Sequence, residues 1–242
     1  MFRNDVESFK NELQKEFKRT DVVPANLILG EEIQQRKDCI ILDQKHFTKD
    51  RLEHYRMSNC KAMVTPLSSH TRLRHWQAFL HVLKYLSGLH KRGLYYPRKT
   101  NNVVKAFSNA NCGNCQVSRR STTGYLACFH CCLIFWETCK QQSVSISTAE
   151  AEYKSLCDLT SELMWFKQWC EEARLLTLKE PILIYEHKQA CIKTANGDCN
   201  LTNKRLKNVD IQLHFIKEDF QCQTVCLCYI PSAHLLANFL TR

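Results

Sequence analysis

Fifteen cysteines in 242 residues are the first side chains here whose type and spacing suggest chemistry. Cys112 and Cys115 form a C-x-x-C pair, and Cys128, His130, Cys131 and Cys132 fall within five residues. Structural zinc needs two ligand pairs, each on a turn that aims both side chains at one ion. The second cluster falls on a strand and turn, where neighbouring side chains point to opposite faces, and this weighs against a shared ion. A small zinc-binding protein organised by these clusters is nonetheless one reading of the chain. Without a secretion signal the thiols are expected to be reduced, which places the protein inside the cell, in cytoplasm or nucleus. An odd total also suits a closed disulfide framework poorly.

The second chemical signal is charge. The formal net charge is +10, and it is unevenly placed: from Tyr55 through Trp136 there is no Asp or Glu. Arg72, Arg74, Lys84, Lys91, Arg92, Arg119 and Arg120 all lie inside that stretch. Such a segment attracts phosphate, so nucleic acid is the expected partner and these residues are its candidate contacts. An ordinary solvated helix carrying a basic face explains the first five equally well. Arg119 and Arg120 also suit the solvation of a hairpin loop.

Periodicity supplies the elements that must position these groups. Val6, Phe9, Leu13 and Phe17 follow a helical spacing over Asp5 to Phe17. Ala25 to Gly30 and Cys39 to Leu42 read as a strand pair separated by a polar segment, and Gln44 to Met57 as a helix. Trp76, Phe79, Leu80, Leu83 and Leu86 mark one face of a helix from Arg74 to Leu89, which Gly93 ends before a strand at Leu94 to Tyr96. The second half reads as three strands at Val103 to Phe107, Gly124 to Cys128 and Leu133 to Trp136. A long helix follows at Thr148 to Ala173, striped by Tyr153, Leu156, Thr160, Leu163 and Phe166. Then come a strand at Ile182 to Tyr185, helices at Gln189 to Ala195 and Val209 to Phe220, a strand at Val225 to Ile230, and a last helical turn at Leu235 to Leu240. That order predicts an α/β fold, a mixed sheet flanked by helices. With 44% hydrophobic residues the chain can bury one or two cores, and no apolar run is long enough to predict a signal peptide or membrane span.

Local words then meet this order. RRSTTGY at Arg119 to Tyr125, STAEAEY at Ser147 to Tyr153, DIQLHFIKE at Asp210 to Glu218 and LANFLTR at Leu236 to Arg242 resemble, in sequence and order, the RNase H domain of copia-type retrotransposon Pol polyproteins. LILGEEI, the LDQKHF run from Leu42 to Phe47, Met57, and Thr65 with Pro66 resemble the end of the same family's reverse transcriptase. His75 to Tyr96 resembles the basic segment that joins the two. The resemblance implies a small α+β reverse transcriptase remnant at 1–60, a basic helical connection at 61–100 and an RNase H-like domain at 101–242. Between Pro66 and His75 the family typically has several dozen more residues, which implies an internal deletion. The polymerase's metal-binding aspartates fall before Met1 in this scheme, so no DNA synthesis is expected.

The resemblance also implies a site. RNase H chemistry uses carboxylates from the first strand, the long helix, the fourth strand and the last helix to hold two magnesium ions, one activating water and one stabilising the leaving oxygen. Here Asn109 stands at the first-strand position with Asn111 near it, Glu152 at the helix position, His187 followed by Lys188 at the fourth strand, and Asn238 at the last helix. A single charge of four is kept, and magnesium requires hard, negative oxygen ligands. The expectation is a catalytically inactive RNase H-like protein with nonspecific affinity for nucleic acid and no cofactor. Glu152 then reads as a helix carboxylate favoured by the macrodipole. Strand alternation predicts that Glu186 faces away from His187. The opposing expectation is an active, magnesium-dependent ribonuclease built from Glu150, Glu152, Glu186 and Asp158. Glycine-rich family turns are replaced by His130, Cys131 and Cys132, which predicts backbone strain.

Overall fold

The computed structural model describes residues 11, 15, 25–66, 75–89, 92–98, 103–174, 178, 180–196, 222 and 224–241. The helix expected at Val209 to Phe220, nearly all of that at Asp5 to Phe17, the Asp210 to Glu218 run, and Arg72, Arg74 and Lys91 lie outside them. The chain forms two compact units, Met1–Tyr96 and Pro97–Arg242.

In the first unit, β1 (Leu27–Ile28), β2 (Glu31–Gln35), β3 (Cys39–Asp43) and β4 (Leu94–Pro97) form a sheet in that order. Leu29 and Gly30, with φ of 51° and 86°, make the tight β1–β2 connection, a left-handed turn of the kind two-residue hairpins use. The polar segment expected to separate two strands is itself β2. Its charged, mostly exposed residues carry none of the apolar alternation that marks a half-buried strand. Helix α1 (Lys45–His54) buries Leu52 and α2 (His75–Leu89) buries Leu83. Trp76, at the head of the same apolar stripe, is exposed and stacks on Phe79, their ring centroids 5.4 Å apart. Gly93 does more than end a helix: a Cβ there would lie 2.6 Å from the Leu42 carbonyl oxygen, so a side chain is excluded where the chain enters β4 beside β3.

The second unit is built on β5 (Val104–Asn111), β6 (Thr122–Phe129), β7 (Cys132–Lys140), β8 (Ile182–Glu186) and β9 (Val225–Tyr229), arranged β7-β6-β5-β8-β9. β5, β6 and β7 pair antiparallel, whereas β8 runs parallel to both β5 and β9. Helix α3 (Thr148–Glu172) carries Tyr153, Leu156, Leu159 and Leu163 at spacings of three and four, all essentially inaccessible. They pack with Val104, Ala106, Ala127, Ile182 and Ile184. The Ala106–Ala127 pair in the β5–β6 register leaves room for these large side chains, each worth about 2 kcal/mol of apolar burial. On the other face Phe107 and Leu126 meet Leu235 and Ala237. The last helical turn is replaced by two 3₁₀ turns, Ser232–His234 and Leu236–Leu240. The short helix α4 (Gln189–Ala195) follows β8.

The β6–β7 turn shows the expected strain. His130 adopts φ of 58°, a conformation that costs a Cβ-bearing residue about 1 kcal/mol or more. Its backbone N–H still bonds the Val103 carbonyl at 2.7 Å. His130→Gly is therefore expected to raise stability by about 1 kcal/mol, less a few tenths for the freer unfolded chain. Urea unfolding monitored by circular dichroism measures this, and a lower midpoint in the variant would contradict it.

Candidate active site

The C-terminal ends of β5 and β8 meet the start of α3, and three polar side chains converge there. Glu152, Glu186 and His187 each bring a ligand-type atom within 4.8 Å of the others. Glu152 sits one turn into α3, whose start is set by Ser147: its hydroxyl accepts the Glu150 N–H at 3.1 Å. Glu152 Oε2 accepts the Ala110 N–H at 2.7 Å, and its Oε1 lies 3.7 Å from His187 Nε2. The helix is held at this height by Ser155, whose hydroxyl donates to the Asn109 carbonyl and accepts from Ser108, both at 2.9 Å.

Glu186 corrects the alternation argument. It is fully buried and continues the helix-facing row of Ile182 and Ile184, so it points toward Glu152. The strand ends at Glu186, and the pleat no longer dictates where His187 points. Glu186 Oε1 accepts the backbone N–H groups of His187 and Lys188 at 2.7 and 2.9 Å, drawing the chain into the turn before α4. The His187 ring thereby returns to the same carboxylate, with Nδ1 3.2 Å from Glu186 Oε1. Glu186 Oε2 and His187 Nδ1 are buried without a hydrogen-bond partner.

The other expected positions are turned elsewhere. Asn109 donates from Nδ2 to Thr241 Oγ1 at 2.6 Å, and Asn111 donates to the Thr241 carbonyl at 2.9 Å. Asn238 donates to the Ser232 carbonyl within the 3₁₀ segment. Thr241 and Leu240 lie over Gly124, where a Cβ would meet Thr241 Cγ2 at 2.6 Å, so the C-terminal turn seats on this face because β6 has no side chain there. Glu150 is occupied by Lys154, at 2.8 Å, and by the Ile146 N–H, at 2.9 Å. Ser147 thus caps the Glu150 N–H while Glu150 reaches back one residue further, to the Ile146 N–H, a variant of the capping box, and that S-x-x-E spacing identifies Glu150 as an entry residue from sequence. Asp158 lines a different cavity, with Tyr125, Glu137, Lys154 and Glu162.

This donor set does not fit a pair of magnesium ions. Two carboxylates and an imidazole converge, Lys188 adds a neighbouring cation, and the amides of Asn109 and Asn238 spend their donors on Thr241 and Ser232. Magnesium in near-octahedral geometry wants oxygen and negative charge instead.

Of the candidate phosphate contacts among the described residues, Arg92 and Arg119 are exposed, while Lys84 and Arg120 are half-buried. Arg119 has φ of 55°, and Arg120 donates to the Gln142 carbonyl at 3.4 Å. The cysteine clusters do not come together. Cys112 and Cys115 follow β5, Cys128 and Cys131 lie at the far end of β6, and a strand of this length separates them by roughly 20 Å. Cys115 stands apart from the rest: the Ser118 hydroxyl and backbone N–H, with Lys140 Nζ at 3.2 Å, lower its thiol to about 6.

The strand order, with three antiparallel strands, a long helix and two parallel strands, defines an RNase H-like fold. The chain is homologous to retrovirus-related Pol polyproteins of plant transposons. It is 23% identical to that of transposon TNT 1-94 from Nicotiana tabacum across 98% of this chain and 22% of the relative. With that of transposon RE2 from Arabidopsis thaliana it shares 27% identity across 69% of this chain and 11% of the relative. The chain thus spans between about a tenth and a quarter of the length of these relatives. The tobacco alignment runs over 293 positions, more than this chain has, so that relative carries residues missing here. Among solved structures, LC11-RNase H1 isolated from compost superposes with a TM-score of 0.44 at 12% identity, over 58% of this chain and 93% of that one. No protein-family model matches the chain.

Burial and the nearby Glu186 carboxylate raise the Glu152 carboxyl well above the usual range, with the Ala110 N–H and Lys188 only partly offsetting them. A carboxyl whose pKa is raised by folding favours the native state in acid and disfavours it as pH climbs past the ordinary glutamate value. Glu152→Gln is therefore expected to raise Tm at pH 8 and to change it little at pH 4.5, in buffer with chelator. Thermal melts at the two pH values check this, and a difference that fails to widen with pH would contradict it.

Proposed function

We propose that this chain keeps an RNase H-like scaffold without hybrid-cleaving chemistry, and that it holds nucleic acid through nonspecific phosphate contacts. The observation that carries the first part is the use made of the replaced positions: Asn109 and Asn238 act as hydrogen-bond donors to Thr241 and Ser232. An amide oxygen is neutral whether or not its nitrogen donates, so these positions bring no negative charge to a dication, and a two-ion site needs several negative ligands. The loss is of the order of several kcal/mol of metal binding, equivalent to at least a thousandfold in affinity.

The convergence of Glu186 on Glu152 favours a second reading, a residual nuclease that uses one or two ions in a rearranged site. Purified protein, first shown to melt cooperatively, is incubated with an RNA:DNA hybrid across magnesium and manganese titrations. The proposal expects no cleavage above background. Magnesium-dependent cleavage that Glu152→Gln abolishes would establish the second reading instead.

The second part rests on the acid-free stretch from Tyr55 through Trp136 and its basic residues. Each phosphate contact adds about 0.9 to the slope of log affinity against log salt on duplex DNA. Binding to a fluorescent duplex is expected to fall steeply between 50 and 200 mM salt, roughly tenfold or more for a few contacts. Replacing Arg72, Arg74, Lys91 and Arg92 together by Ser should weaken binding and flatten that slope. A salt-independent affinity in the parent protein would rule this out.

A further inference from the structure

We propose that Glu152, Glu186 and His187 form a binding site for a single zinc-class divalent ion, a site of different donor chemistry from a magnesium pair. Three features on different elements point to it. The three ligand-type atoms lie within 4.8 Å of one another, and a movement of the side chains by about 1 Å brings them to the roughly 3.3 Å spacing of donors on a tetrahedral zinc ion. Glu186 is fully buried, and its Oε2 has no hydrogen-bond partner, while its Oε1 is committed to the His187 and Lys188 N–H groups. His187 Nδ1 is likewise buried and unpartnered. A buried carboxylate oxygen left without a donor is costly, and an ion seated between the two carboxylates and one nitrogen of the ring would satisfy Glu186 Oε2.

The donor set selects the ion. An imidazole beside two carboxylates suits zinc, cobalt and manganese, whereas magnesium holds its waters and discriminates against nitrogen. Three protein ligands leave a fourth position of a tetrahedral zinc ion open to water. The second-sphere contacts are already in place: the Ala110 N–H orients Glu152, and two backbone N–H groups orient Glu186. The His187 side chain is 14% exposed, which gives an ion a route in from solvent. The cysteine clusters take no part, and Cys191, buried beneath the two carboxylates, stays a neutral thiol because burial pushes its pKa up.

The site is independent of whether any nuclease activity survives, and its test reads binding alone. Cobalt chloride is titrated into the full-length, reduced, metal-free protein, because the visible spectrum of cobalt distinguishes carboxylate and imidazole ligands from thiolates. The expected result is a saturable one-to-one spectrum without a thiolate-to-cobalt band, abolished by zinc chloride and unaffected by excess magnesium chloride. Glu186→Gln keeps the oxygen that caps the His187 and Lys188 N–H groups, and His187→Ala removes the half-buried ring. Each should weaken cobalt binding by at least about tenfold while melting cooperatively. Absence of stoichiometric binding, a thiolate band, or unchanged affinity in either folded variant would overturn the assignment. Hybrid cleavage with magnesium, by contrast, would sink the proposed lack of nuclease activity, and it would overturn this assignment as well only if excess magnesium also displaced the cobalt.

Discussion

Two carboxylates buried side by side are the constraint around which the second unit is arranged. Glu152 and Glu186 are both inaccessible, and their charges repel in a medium that screens poorly. The surroundings answer with oriented donors, the Ala110 N–H on Glu152 and the His187 and Lys188 N–H groups on Glu186, while the imidazole lies beside both carboxylates. The donors come from β5 and the turn after β8, and the carboxylates from α3 and β8, so the cluster holds its shape only when all four are in register. The serine relay from Ser108 through Ser155 to the Asn109 carbonyl sets the height of the helix against the first strand. The acidic pair is thus both the least comfortable part of the unit and the part that records most closely how its elements meet.

The opposite face of the sheet follows another logic. At two positions where the resemblance implies acids, the amides of Asn109 and Asn111 reach to Thr241 and tie down the C-terminal turn. Neutral donors make good ties and poor ion ligands. An asparagine differs from an aspartate in two ways at once: it carries no charge, and it offers a donor that a neighbouring oxygen can use. A polar end of strand that would be strained as a cluster of acids becomes a satisfied hydrogen-bonded seam.

Much of this architecture was legible in the residues. The apolar spacing of Tyr153, Leu156 and Leu163 placed the long helix and its buried stripe, and His130 in a turn that favours glycine announced the positive φ found there. Other features were hidden for physical reasons. β2 carries charged residues with no alternation, because its stability comes from pairing on both sides and not from a buried face. Glu186 was misplaced because strand alternation was carried one residue beyond the end of the strand, where a side chain capping the next turn decides the direction. Glu150 looked like a candidate acid, yet the serine three residues before it already marked a helix entrance. The separation of the cysteine clusters depends on strand pairing, which spacing along the chain does not reveal.

The central strand carries a consequence for how the protein comes together. β5 finds its antiparallel neighbour β6 close by in sequence, but its parallel neighbour β8 arrives only after two further strands and the whole of α3. Contacts between such distant segments form late, since the intervening loop must first be closed. Until then one side of β5 is an open edge whose amides can recruit any extended peptide, including another copy of the same chain. A nascent or heated molecule is therefore most vulnerable to aggregation along the strand that, once paired, becomes the most protected in the sheet.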